Sequence, residues 1–139
     1  MKKTAIIIGF LFFSLLVFSQ TENQKLDEKL FGTWTGSEKD GQENGMTKNW
    51  IMHRFIDGTF VLLFTTVKGE KINNFAEKGK WWVDDKGVFY EYHNNSQMTD
   101  TYTYKVLDEN NVKFIAKKMN VEMNVDNYEF IDTKVDDGV

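Results

Sequence analysis

The chain has 139 residues, no Cys, no Pro, 15% aromatic residues and a formal net charge of −4. Its length suits one domain, and its acidic balance argues against nucleic acid or anionic lipid as the main partner. Without Cys there is no disulfide framework, so stability must come from core burial.

Lys2 and Lys3 precede an apolar run from Ala5 to Phe18, broken only by Gly9 and Ser14, and a polar stretch begins at Ser19. A basic tip, a short apolar core and a small residue before polar sequence describe a secretory signal peptide. The run is shorter than the ~20 residues a spanning helix needs. Val17 and Ser19 suit the cleavage subsites, so residues 1–19 are expected to leave and 20–139 to form the mature domain. The leader takes two lysines and no acid with it, moving the formal charge from −4 to −6. The Lys-rich tip and Ser-Gln junction look bacterial, with periplasm or medium as the destination.

After Ser19 the chain is polar to Leu30, with Leu26 and Leu30 four apart, which predicts a short helical turn. From Phe31 the pattern changes to period two, punctuated by turn residues. Strands are expected over 32–38, 47–55, 59–67, 73–83, 88–93, 100–107, 112–118 and 121–132. Asp57-Gly58 and Asp84-Asp85-Lys86-Gly87 mark hairpin turns. No segment offers a crossover helix, so a parallel sheet is excluded. The expected fold is all-β, an eight-stranded antiparallel up-and-down barrel, because closure removes the two exposed edges of a simple meander.

Alternation sorts the side chains into two faces. The faces assigned to the interior are Phe75, Gly79, Trp81 and Val83; Val88, Tyr90 and Tyr92; Tyr102, Tyr104 and Val106; and Val112, Phe114 and Ala116. Phe89, Glu91 and His93 are then outward, as are Trp82 and Glu129. Strand 59–67 is apolar on both faces, and its outer face is expected to meet the N-terminal segment or a partner. A barrel of this size either fills itself with side chains or holds one small ligand. Aromatic walls with a few hydroxyls suit an amphipathic ligand. The candidate cavity lining is Trp50, Arg54, Phe64, Trp81, Tyr90, Tyr92, Tyr102, Tyr104 and Phe114. Arg54 is the only Arg. If Arg54 shares the inner face with Trp50 and Met52, it needs an acid from the protein or a ligand carboxylate. Met119 and Met123 suit soft filler at a barrel mouth.

His53 and His93 are the only histidines, and no short spacing adds further ligands, so no metal is expected. No nucleophile–base arrangement is visible, so no catalytic residue is assigned and no cofactor is implied.

Phe31-Gly32-Thr33-Trp34 entering an antiparallel meander resembles the lipocalin-like (calycin) barrels. Gly79-Lys80-Trp81-Trp82-Val83-Asp84 looks like the mid-barrel strand of small secreted bacterial members. The resemblance implies that Trp34 plugs the closed end and that Gly32 permits close backbone approach there. In that family an Arg of the last strand stacks on this Trp. Here Arg54 lies in the second strand, and Lys134 sits nearer the family position. The expected function is binding of a small hydrophobic or amphipathic molecule inside the barrel, without covalent chemistry. The alternative is a packed barrel that docks a protein, the cell envelope or a second copy through the outer face of strand 59–67 and Trp82. A third reading is a small cofactor-free enzyme using the cavity.

Overall fold

The computed structural model describes residues 23–136, so the expected leader lies outside the described residues. Eight antiparallel strands follow one another around a closed barrel: β1 Gly32–Lys39, β2 Met46–Arg54, β3 Thr59–Lys68, β4 Lys71–Val83, β5 Val88–His93, β6 Met98–Val106, β7 Asn111–Lys118 and β8 Glu129–Lys134. The cylinder closes where β1 meets β8, with Trp34 opposite Lys134 and Thr35 opposite Thr133. Every strand therefore has two neighbours, with the β1–β8 seam paired at these two positions.

The first seven strands lie where the alternating pattern puts them, to within two residues at either end. The eighth does not. Val121, Met123 and Val125 alternate as a strand would, but 119–128 has no regular structure. β7 pairs instead with 129–133, Ile115 opposite Glu129 and Asn111 opposite Thr133. Met119 and Met123 turn into the barrel mouth, while Asn120 bonds to Asp100 of β6 and Asn124 to the β1–β2 loop.

Facing residues of an antiparallel pair share one side of the sheet, and this rule corrects the assignment for β5. Trp81 stands opposite Glu91, and Val83 opposite Phe89. With Trp81 and Val83 in the core, Phe89, Glu91 and His93 must also point inward. Tyr90 and Tyr92 therefore face out, and Tyr90 stacks on Trp82 with ring centroids 5.3 Å apart and planes 4° from parallel. Two inward tyrosines were the more apolar choice, but the register overrules the side-chain count. Inward Phe75, Gly79, Trp81, Tyr102, Tyr104 and Phe114 agree with the alternation.

The barrel is packed solid at one end. Leu30, Trp34, Phe60, Trp81, Phe89 and Phe114 are all at most 1% exposed. A 3-10 turn, Glu28–Leu30, lies across this end with Asp27 as its cap. It is held by Trp34 Nε1 donating to the Leu30 carbonyl at 3.0 Å and Tyr104 Oη donating to Asp27 at 2.7 Å. Lys25 adds a bridge to Val83. Among the described residues, the N-terminal segment 23–30 thus covers the end of the barrel and not the outer face of β3, where Leu63 stays 53% exposed.

Trp34 is buried at this packed end, 1% exposed. Lys134 Nζ lies 5.6 Å from its ring centroid and the Arg54 guanidinium carbon 5.8 Å, so two cations share the ring. The role of Gly32 is conformational: its φ of +105° is one that L side chains rarely adopt, whereas an added Cβ would meet only Lys134 at an ordinary 3.5 Å.

Candidate functional site

The opposite half of the barrel is hollow. A cavity of about 490 Å³ runs from the loops at the mouth down to Arg54 and Asp132. Its upper wall is soft and apolar. Phe64 and Phe75 stack at 4.8 Å on β3 and β4, and Lys48 Nζ lies 4.7 Å from the Phe64 centroid. Met46, Met52, Met98, Met119 and Met123 all line the cavity, and these are all the methionines of the chain except Met1. Unbranched thioether side chains adapt to irregular apolar shapes.

The floor is a buried ion pair. Arg54 is 2% exposed and Asp132 1%. Arg54 Nη2 donates to Asp132 Oδ2 at 2.6 Å, and Trp50 Nε1 donates to the other carboxylate oxygen at 2.8 Å. Arg54 Nε and Nη1 have no hydrogen-bond partner among the described residues. Ring faces surround the guanidinium instead, with Phe114 at 5.0 Å and Phe89 at 5.2 Å from its carbon. The acid that a buried Arg54 requires is therefore the protein's own Asp132. Asp132 was legible through its pairing with Val112, once β8 is placed correctly.

A second polar group occupies the wall of β4, β5 and β6. His93 Nδ1 is 2.7 Å from Glu77. Its Nε2 is 3.2 Å from Glu91 and 3.4 Å from Asp100. None of these contacts has hydrogen-bond direction, so they act as close charge contacts. Burial alone would lower the His93 pKa. The contacts with Asp100, Glu77 and Glu91 outweigh burial and push it up to about 12, so the ring is an imidazolium at neutral pH. Glu77 is held below its usual range by His93. At Asp100 burial pulls upward, but His93 and two bonds from Asn120 win, and the pKa falls. The expectation that Glu91 and His93 face solvent is corrected here, because both line the cavity. Among the described residues, no group of His, Asp and Glu is arranged to hold a metal ion.

Of the residues singled out from sequence, Trp50, Arg54, Phe64 and Tyr102 line the cavity. Trp81, Tyr104 and Phe114 belong to the packed half beneath it, with Trp34 and Gly32 at its sealed end. Tyr90 and Tyr92 lie on the outside. The reading missed Glu77, Asp100, Tyr128 and Phe130, all on the cavity wall. The last two were hidden by the misplaced eighth strand. Phe130 joins the ring cluster by stacking on Phe114 at 5.2 Å.

Comparison of the chain with protein-family models, curated proteins and solved structures finds no match. The functional reading therefore rests on the geometry of the barrel.

Proposed function

We propose that this protein is an exported, lipocalin-like container that holds a small hydrophobic or amphipathic molecule in the open half of its barrel. The observation that carries the reading is the contrast between the two halves. One half is packed to the last ring, while the other encloses about 490 Å³ behind a wall of aromatic and methionine side chains. That volume lies within the roughly 300–1,000 Å³ typical of small-molecule sites. Charged groups on the wall are tied to one another, Arg54 to Asp132 and His93 to its three carboxylates. A ligand thus meets apolar surface first and polar groups at fixed points. The chemistry asked of the site is binding alone.

The test is direct. Purified, delipidated protein is titrated with N-phenyl-1-naphthylamine, a neutral apolar dye, while tryptophan emission is followed in wild-type protein and in Trp50→Phe. Saturable uptake with tryptophan quenching that is reduced in Trp50→Phe supports the container, and the absence of uptake overturns it. Native mass spectrometry of protein from its own source then identifies the retained molecule.

A second reading has its own observation. Ile51 and Leu63 face each other on the outside of β2 and β3, and each is 53% exposed. Such a pair suits docking of another protein or a second copy. A stable dimer that takes up no dye, and that Leu63→Lys dissociates, supports this alternative over the container.

A further inference from the structure

The strand connections of this barrel are short, with one exception. The β7–β8 connection, 119–128, runs to ten residues without regular structure, and it does not hang free. It crosses the open end and supplies part of the cavity wall through Met119, Val121 and Met123. It is fastened at two points to different parts of the rim. At the first, Asn120 donates its backbone N–H and its side-chain amide to Asp100 Oδ1, both at 2.8 Å, and the same amide donates to the Thr99 carbonyl at 2.6 Å. At the second, Asn124 donates its backbone N–H to the Gly41 carbonyl at 3.1 Å and its side-chain amide to the Asp40 carbonyl at 3.0 Å. Thr99 and Asp100 belong to β6, while Asp40 and Gly41 belong to the β1–β2 loop, so the segment is strapped across the rim.

We infer that 119–127 is a latched lid that gates exchange of the molecule held in the cavity, with Asn120 and Asn124 as its two latches. The inference rests on the container reading above. Three features make the segment a lid and not a fixed wall. Asn120 and Asn124 are both exposed, so water competes for their bonds. Val121 and Val125, 49% and 41% exposed, contribute little buried surface. No strand ladder crosses 119–127; the ladder resumes at buried Tyr128, whose carbonyl accepts from the Ala116 N–H at 2.9 Å, so 119–127 can open without breaking the barrel, as the least stable unit of a structure does. One latch also reaches the binding wall. Asp100, which receives Asn120, is one of the carboxylates around His93. A ligand that draws Asp100 toward itself pulls on the lid from inside.

The experiment compares the whole mature protein with the double variant Asn120→Ala/Asn124→Ala. This variant keeps the charges of the wall and the strands of the barrel. Amide exchange is read first, on ligand-free protein. The Asn120 and Asn124 amides are expected to lose protection by about tenfold, while Met52 and Trp81 in the strands keep theirs. Stopped-flow mixing with N-phenyl-1-naphthylamine is read second. Association and dissociation rates are both expected to rise about tenfold, because both pass through the open lid. Unchanged protection at 120 and 124 shows that these bonds do not hold the segment, and it overturns the proposal. Lost protection with unchanged dye rates shows that the segment is not the gate, and it also overturns the proposal. Wild-type protein that takes up no dye at any rate overturns the container reading itself. A variant that loses protection throughout the strands is replaced by Asn124→Ala alone, whose hydrogen-bond partners Asp40 and Gly41 lie outside the cavity lining, and which is judged by the same two readouts.

Discussion

Arg54 and Asp132 stand 78 residues apart in the chain and 2.6 Å apart in the barrel, both almost wholly out of water. Each charge is tolerated there because of the other. Asp132→Asn keeps an acceptor for Trp50 but leaves the guanidinium without its counter-charge. A loss of about 3–5 kcal/mol in unfolding free energy is expected, measured by urea denaturation. Arg54→Met/Asp132→Leu removes both charges and leaves only Trp50 Nε1 without its acceptor. That residual loss is about 1 kcal/mol. The double variant is therefore expected to be more stable than Asp132→Asn. A double variant at least as damaged as the single one would mean that the two side chains do not depend on each other.

His93 and its carboxylates set a pH window. The folded His93 pKa, raised to about 12, lies above the ordinary histidine value of 6.5. Its contribution to stability is complete below 6.5 and drains away as pH climbs from there toward 12. Glu77 and Asp100 are depressed below 4.5 and 3.8. Their contribution is present above those values and is lost as pH falls through the depressed pKa values. The melting temperature is thus expected to be highest between about pH 4.5 and 6.5. His93→Gln should flatten the decline on the alkaline side. It should also weaken the acid-side dependence, because the carboxylates lose the cation that depressed them. An unchanged profile in His93→Gln would remove the cluster from the pH response.

The closed end of the barrel was legible in the sequence, and the chemistry of the open end was not. The reason lies in how the two ends signal. Gly32 and Trp34 announce themselves by residue type, and Trp81 and Phe114 by apolar alternation, whereas Phe60 lies on a strand apolar on both faces and Phe89, equally buried, was expected to face outward. Glu91 and His93 run against alternation, because charged residues inside a barrel look like surface residues until their partners are known. Those partners, Glu77 and Asp100, sit on neighbouring strands, and strand register is a pairwise property that no single segment displays. Had Trp81 been used to fix the facing residue on β5, Glu91 would have followed. The eighth strand failed differently. Val121, Met123 and Val125 carry the period of a strand and serve as lining and rim of a mouth.

Gly79 is fixed by space, not by conformation. A Cβ there would lie 1.8 Å from the Tyr92 carbonyl oxygen and 2.6 Å from the Phe60 ring. The carbonyl belongs to the β5 ladder and cannot rotate aside. Gly79→Ala must push β4 and β5 apart beside the His93 cluster. A loss of about 3 kcal/mol is expected in urea denaturation, at the upper end for overpacking. Because Phe60 is also in edge contact with His93, at 5.6 Å, the shift should carry into the cavity wall. Near-wild-type stability in Gly79→Ala would mean that the β4–β5 pairing is looser than described.

The two halves of the barrel should separate cleanly under mutation. Phe114 is fully buried and touches Phe89, Tyr102 and Phe130 in the packed half. Phe114→Ala is expected to lower stability by about 3–5 kcal/mol. The affinity of the still-folded fraction for N-phenyl-1-naphthylamine should change less than its stability does, because Phe114 does not itself line the cavity and supports it only from beneath, through Tyr102, Phe130 and Arg54. Phe64 lies at the mouth, stacked on half-exposed Phe75. Phe64→Ala removes a ring from the cavity wall but empties no close-packed space, so its effect on stability should be small. Its effect on dye affinity should be about tenfold, the worth of a good part of one ring's apolar contact. Equal effects of both substitutions on affinity would show that the dye reports on global loosening and not on a cavity. The opposite ranking, with Phe64 decisive for folding and Phe114 for uptake, would invert the assignment of the packed and hollow ends.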